Sequence, residues 1–374
     1  MISHTSGMIQ QRRAAWCKAL ERVESNGLAL CPRFAEVAAR WNAWWRFEAD
    51  RPLILTQSGT RSDIRWDKAF DLLDRPADWL KVRRAQVEAT VVAGDALPSV
   101  RADIGPVSMA AFLGAPLHIG HHEQTTWQEP IITSWDDPPS LTLDAGNHWL
   151  EIVLRLLRVT AEDAAGRYLV CLPDLTGAMD VLANLRSPQA LCMDLYEHRD
   201  AVRTAAARCV DAWEVAYAAM YDAVSSAGAG VVQWVTCWSD TPYTVPTCDF
   251  NALIGPDDFT DMCLPSLEAQ ARRAGRCIFH LDGPDAARHA PALAASTITA
   301  IQYTPGAGTP SALAMLDMYR MLQAHDKALF IEAPAQEVLE LCEQLDPRGT
   351  AIRAGVGSPE EANELAAAVA RRFT

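Results

Sequence analysis

The segment RCIFHLDGPDAARH (Arg276–His289) carries a short apolar run, Cys277-Ile278-Phe279, into His280 and Asp282, then into a Gly283-Pro284 break and a stretch of helical character. An apolar run too short for a helix, stopped by a breaker and followed by a helix, reads as one βα unit. Its strand delivers an imidazole and a carboxylate, two residues apart, at its carboxyl end. The same unit recurs along the chain. β-rich runs stand at PLILT, LPSVRAD, RYLVCL, GVVQWVTCW, RCIFHL, ITAIQYT, ALFIEA and TAIRAG, eight in all. Segments with helical spacing of apolar residues separate nearly every pair, as in SALAMLDMYRMLQAH. Parallel strands need helical crossovers, and eight of them close a sheet, so the 374 residues predict an α/β fold of the (β/α)8 TIM-barrel type. An open doubly wound sheet is the alternative.

Two departures from a minimal barrel are expected within this one domain, residues 1–374. Residues 1–50 form a Trp-rich helical lead-in, RFAEVAARWNAWWRFEAD, whose Trp44 and Trp45 suit packing at a barrel end. Residues 105–166 form a long excursion after the second strand, of the length that lids and binding loops have. The last unit, GVGSPEEANELAAAVARR, is punctuated as a helix by Ser358 at the N-cap, Pro359 at the first turn, Glu361 three residues on and arginines at the end.

Composition narrows the function. Apolar residues make up 49% and charged residues 21%, ordinary for a globular chain, and the net charge of −14 opposes binding to nucleic acid or an anionic membrane. A small-molecule substrate is the expectation. The N-terminus has no apolar stretch of signal-peptide length and no segment is long enough to span a bilayer, so the expected location is cytoplasmic. The ten cysteines form no C-x-x-C pair and sit in apolar contexts, as buried thiols do.

In a barrel, chemistry gathers at the carboxyl ends of the strands. There the sequence delivers Asp103, Asp174, Trp238 with Asp240, His280 with Asp282, Gln302 with Tyr303, Glu332 and Arg353. The loop SDTPYTVPTCDFNALIG adds Tyr243, Cys248 and Asp249. The excursion adds LHIGHHEQTTWQEP, with His118, His121, His122, Glu123 and Trp127. Such a mouth binds a divalent metal, performs acid–base work, or does both. Each residue also has a plainer reading: Asp282 as a helix cap, His280 as a structural histidine, His121-His122 as a solvated loop. TPGAGTP (Thr304–Pro310) is not a spaced phosphate loop, and no nucleotide cofactor is expected.

Five segments together, DLTGAMDVLANLRSPQALCMDLYEHRDAV, CDFNALIGPDDFTDMCLPSLEAQAR, IFHLDGPDAARH, AIQYTPGAG and GVGSPEEANEL, resemble the uroporphyrinogen decarboxylase superfamily, which also contains the corrinoid:thiol methyltransferases. The resemblance runs from about Gly105 to the C-terminus and implies a (β/α)8 barrel. The decarboxylases carry an Arg-x-x-Gly-Arg segment near the N-terminus. Here the only match, Arg272–Arg276, precedes the fifth strand, and the mouth is acidic, so decarboxylation of a porphyrinogen is not expected. The methyltransferases bind zinc through a His-x-Cys pair and a later Cys. Here the pair reads His280-Leu281-Asp282 and the last strand has no Cys, which shifts the site toward a harder ion or toward metal-free catalysis.

The resulting expectation is a methyl or alkyl transferase, with a cofactor-free carboxy-lyase or a non-catalytic ligand-binding barrel as alternatives. His280, Asp282 and Asp249 are its catalytic residues, and His280, Asp282 and Glu332 its ligands for a divalent metal, zinc or harder. Gln302, Tyr243, Trp127, Trp238 and Tyr303 contact the substrate. The resemblance also implies a corrinoid or tetrapyrrole-related ligand, and a homodimer is a further expectation.

Overall fold

A computed structural model of the chain describes residues 8–9, 12, 27–58, 70–120, 125–144, 146–227, 230–306 and 311–373. The architecture is mixed α/β, built on sheets that are mainly parallel. Strands β1 (Leu53–Ser58), β2 (Val91–Gly94), β3 (Ser99–Arg101), β4 (Leu117–Gly120), β5 (Thr125–Gln128) and β6 (Leu169–Cys171) come from the first half. The second half gives β7 (Val231–Val232), β8 (Trp238–Ser239), β9 (Ile278–Asp282), β10 (Ala300–Thr304), β11 (Ala328–Pro334) and β12 (Thr350–Gly355).

A six-stranded sheet has the order β2-β1-β12-β11-β10-β9. All its neighbours are parallel except β2, which runs antiparallel to β1. Its strands are apolar on both faces, as strands covered by helices on one side and a filled interior on the other must be: Ile278, Phe279, Leu281, Phe330, Ile331, Ala351 and Ile352 are all buried. A four-stranded sheet, β3-β6-β7-β8, continues the curve, and β4 and β5 pair separately as a hairpin.

All eight predicted strand segments contribute strands, but among the described residues the expected closed ring of eight parallel strands is not formed. The ladder is interrupted twice, for local reasons. After the helix Pro76–Ala89 the chain descends along β1 as β2 and reverses at Gly94, at φ +68°. The next upward strand, β3, therefore pairs with β6 and not with β1. The second interruption falls in GVVQWVTCW, expected as one strand. Thr236 sits at φ +62° and its N–H donates to the Gln233 carbonyl at 2.7 Å, folding the segment into the antiparallel pair β7–β8. The place beside β9 is taken instead by Thr244–Pro246, whose backbone bonds run Thr244 N to Arg276 O, Ile278 N to Thr244 O and His280 N to Pro246 O, each 3.0 Å.

The Trp-rich lead-in forms helix α1 (Phe34–Trp45), with Trp41 and Trp44 fully buried edge to face at 5.5 Å. It closes the end at which the parallel strands begin. Next to it, buried Asp95 accepts from Arg40, from Arg51 at 2.9 Å and from the Ile54 backbone at 2.9 Å, and Phe47 packs against Gly349, just before β12. The excursion is not a free flap. Its short helix Ser108–Phe112 is buried, and the backbone N–H groups of Ile131 and Ile132 both donate to the Leu185 carbonyl at 2.8 Å. It ends in helix α2 (His148–Ala164), capped by the Asn147 side chain on Leu150 N. Helix α3 (Pro359–Arg372) is capped by Ser358 on Glu361 N at 3.1 Å, as its punctuation predicts. Among the described residues all nine cysteines are free thiols, and every one except Cys192 is buried. No helix among them is long and apolar enough to cross a membrane.

Candidate active site

The parallel register sets the site. His280 on β9 lies opposite Gln302 on β10, and Gln302 lies opposite Phe330 on β11. Glu332, two residues beyond Phe330 on the same face, lies opposite Arg353 on β12. Neighbouring strands thus present one inward row of polar side chains at their carboxyl ends. His280 Nδ1 is hydrogen-bonded to Gln302 Oε1. Gln302 Nε2 donates to Thr304 Oγ1 at 2.6 Å and to Glu332 Oε1 at 3.2 Å, and Arg353 donates to Glu332 in turn.

Asp249, His280 and Asp282 come together at one end of this row. One donor atom from each lies within 4.8 Å of the others, the spacing of groups able to share one cation. Asp282 occupies the N-cap position of the short helix Gly283–Ala286 but makes no side-chain cap bond, so its carboxylate stays available to the mouth. Asp249 is set by Asp180, whose carboxylate accepts from the backbone N–H groups of Asp249 and Phe250, both at 2.9 Å, and from Thr247. The Asp249 side chain keeps an open face, yet the walls around it and then Asp180, Asp282 and Asp174 push its pKa up to about 8. Burial above all, with Asp180 adding to it, pushes Asp174 up to about 7 against the Thr176 N–H that it accepts. Burial first, and then neighbouring carboxylates, thus disfavour the ionised forms of Asp249 and Asp174.

The turn between β7 and β8 forms the opposite wall. Trp234 sets its ring edge against His280 at 4.9 Å, and Arg353 Nη1 donates to the Val235 carbonyl at 3.3 Å. Trp234 and Thr236 also line a cavity of 220 Å³ in the breach between β1 and β3, together with Gln57, Arg83, Arg101 and Cys171.

Other expectations are corrected. Glu332 does not join the Asp249, His280 and Asp282 group, because it is held by Arg353 and Gln302. Gln302 is fully buried and spends both amide ends on protein groups. Tyr243 is buried, donating to the Cys237 carbonyl at 2.6 Å and accepting from Gln233 N at 2.9 Å, which makes it a core residue and no substrate contact. Trp238 is equally buried, edge-on to Phe34 at 5.7 Å. Strand β8 runs back toward the lead-in, so Trp238 and Asp240 are carried to the start of the strands. There Trp45 donates to the Trp238 carbonyl at 2.9 Å and Arg276 pairs with Asp240 at 2.5 Å. Tyr303 is opposite Leu281, on the outer face, against Tyr319 at 6.0 Å. Trp127 is 47% exposed on the β4–β5 hairpin, stacked on His118 at 5.7 Å, and is not among the residues lining the cavity. His121, His122 and Glu123, and Ala307–Pro310 of TPGAGTP, lie outside the described residues.

Sequence reading missed Asp180 and Trp234. The DLTGAMD segment holds a signal for the first: an Asp in a helix's first turn, buried, following a strand-end Asp by six residues. Nothing marks Trp234 before the β7–β8 reversal is known.

No family model matches the sequence, and no curated protein matches it. Among solved structures, a methyltransferase from Methanosarcina mazei shares the fold over 90% of this chain and 99% of its own, with a TM-score of 0.61 at 14% sequence identity.

Proposed function

We propose that this chain is a uroporphyrinogen decarboxylase-like enzyme that transfers a methyl or other alkyl group on a small substrate, with a divalent cation held by Asp249, His280 and Asp282. The observation that carries the reading is the meeting of these three donors, two from the carboxyl end of β9 and one from the loop segment Asp249–Leu253 beside it, at the end of the strands where α/β enzymes of this kind keep their chemistry. A fold shared with a methyltransferase supports the reaction class. The donor set fits a cation. One imidazole and two carboxylates suit zinc or a harder ion, and a double positive charge would offset the burial, and then the neighbouring carboxylates, that push Asp249 up to about 8.

When bound, such an ion acts as a Lewis acid that lowers the pKa of a ligating nucleophile. His280, Asp249 and Asp282 would be the residues that hold it. A corrinoid or related tetrapyrrole is the methyl donor that this reading favours. A metal-free carboxy-lyase is the second reading, and the raised carboxyls of Asp249 and Asp174 favour it, since a carboxyl protonated near neutrality can serve as a general acid.

Metal analysis of protein purified without a histidine tag tests the first reading. It predicts about one divalent ion per chain, lost in a folded His280→Ala variant. Metal content near zero in active wild-type protein, with activity lost in the same variant, moves the assignment to metal-free acid–base catalysis. Full activity of metal-free His280→Ala protein removes both.

A further inference from the structure

We infer that Arg353, Glu332 and Gln302 form a positioning relay that fixes the tautomer of His280, holding the proton on Nδ1 and leaving Nε2 as the nitrogen with the free lone pair. The inference rests on the reading of His280 as the reactive imidazole, but the relay follows from donor and acceptor chemistry alone.

The chain of constraint starts at Arg353, which can only donate. Its guanidinium is held on three sides: by Glu332, by the turn through the Val235 carbonyl at 3.3 Å and Thr236 Oγ1 at 3.4 Å, and by the Phe330 ring at 5.3 Å. Glu332, as a carboxylate against that guanidinium, only accepts. The group of Gln302 that faces Glu332 must therefore be its NH2, whose two hydrogens reach Glu332 Oε1 at 3.2 Å and Thr304 Oγ1 at 2.6 Å. Turning the amide over would set its oxygen against the Glu332 carboxylate, an acceptor facing an acceptor at the fully buried Gln302, and would give up the donated bonds to Glu332 and Thr304. So the amide oxygen faces His280. An amide oxygen cannot donate, and the bond between it and His280 Nδ1 exists only if Nδ1 carries the proton.

An unconstrained neutral imidazole populates both tautomers. Here the choice is made three strands away, by the register that sets His280, Gln302, Glu332 and Arg353 on one face. The β7–β8 turn grips both ends, with Trp234 against the imidazole and Val235 and Thr236 on the guanidinium. A metal ligand or a base needs that lone pair on a fixed nitrogen, and a hydrogen bond to the other ring nitrogen is the usual way to secure it. Gln302 is thereby a positioning residue, reassigned from substrate contact, and Glu332 and Arg353 act through it.

The tautomer is read directly from imidazole nitrogen chemical shifts. Protein carrying nitrogen-labelled histidine is stripped of metal and held at a pH about two units above the ordinary imidazole range. The His280 signals are found among those of the nine histidines by their loss in His280→Gln. The relay predicts a protonated-type Nδ1 and a lone-pair-type Nε2 in the wild type and in Arg353→Lys, which keeps a cationic donor to Glu332. In Glu332→Gln the partner of the amide no longer enforces its orientation, so the second tautomer becomes visible. In Gln302→Met, where the acceptor is gone, both are populated. Each variant is first shown to melt cooperatively. Wild-type His280 protonated on Nε2 overturns the relay, and so does an unchanged Nδ1–H form in both Glu332→Gln and Gln302→Met. In parallel, Zn²⁺ affinity should fall about 10- to 100-fold in Gln302→Met. Wild-type protein that takes up no Zn²⁺ defeats the metal reading of the site, while the nitrogen shifts still decide the relay.

Discussion

At the scale of the residue, Asp174 shows how the mouth is charged. It ends the third predicted strand segment, half-buried, with one oxygen accepting the Thr176 N–H at 2.7 Å. Burial pushes its carboxyl up to about 7, with Asp180 adding to the rise. A carboxyl raised above its unfolded value near 3.8 makes the native state bind the extra proton between about pH 4 and pH 7, so this group's contribution to stability falls as pH rises through that window. Asn at this position keeps the acceptor for Thr176 and has no charge to disfavour. Asp174→Asn is therefore expected to gain stability over wild type from about pH 4 to pH 8, with the two proteins converging at lower pH, in urea titrations run with a chelator present. A stability difference that stays flat over this range would mean that the carboxyl is ionised throughout. His280, Asp282 and Asp249 were legible in the sequence because a strand end and the loop beside it point to the mouth whatever the local detail. Tyr303 was misread because neighbouring strand residues face opposite sides, and a run as short as AIQYT does not say which side is inward.

At the scale of the element, the apolar runs of β9 to β12 and the capped helix α3 were readable, since burial on both faces and Ser358-Pro359 leave few other solutions. The two reversals were not. Both depend on a left-handed residue, Gly94 and Thr236, inside stretches whose composition suits continued strand. The Gly94 reversal is open to direct test. A Cβ there would overlap the Ile54 carbonyl oxygen, which accepts the Asp95 N–H at 2.7 Å, and would also meet Ala366 of α3. Gly94→Ala should cost about 2–4 kcal/mol, from the left-handed backbone and the overlap together. The loss is measured as a shift in urea midpoint at unchanged slope. A loss below about 0.5 kcal/mol, the scale of an ordinary surface substitution, would mean that β2 does not turn here as described.

At the scale of the whole molecule, the eight strand segments read from the sequence all carry strands, but neither the additional strands β2, β4 and β5 nor the antiparallel pairings of β2 with β1 and β7 with β8 were legible in it. The two sheets differ in how firmly they are tied. In the six-stranded sheet, β9 to β12 have five to seven residues each and ladder continuously from neighbour to neighbour. In the other sheet, β7 and β8 have two residues each, β6 meets β7 through a single residue pair, and the junction to β9 is made by Thr244–Pro246 with three backbone hydrogen bonds outside any named strand. The mouth lies across this difference: His280, Glu332 and Arg353 stand on the long strands, while Trp234, Val235 and Thr236 stand on the short turn that meets them. Segments with few ladder bonds open locally at lower free energy than the core that surrounds them. Native-state hydrogen exchange should accordingly find the amides of Ile301, Phe330 and Ile352 opening only with global unfolding. Those of Val232, Trp238 and Thr244 should exchange through smaller openings that are insensitive to low denaturant. A divalent cation bound between Asp249 and β9 should slow the first group by the global stability that it adds, and should slow the second group as well only if the local openings release the loop after Thr244–Pro246. Uniform protection of both groups would mean that the short sheet is as firmly joined as the long one, and would remove the turn as the compliant wall of the site.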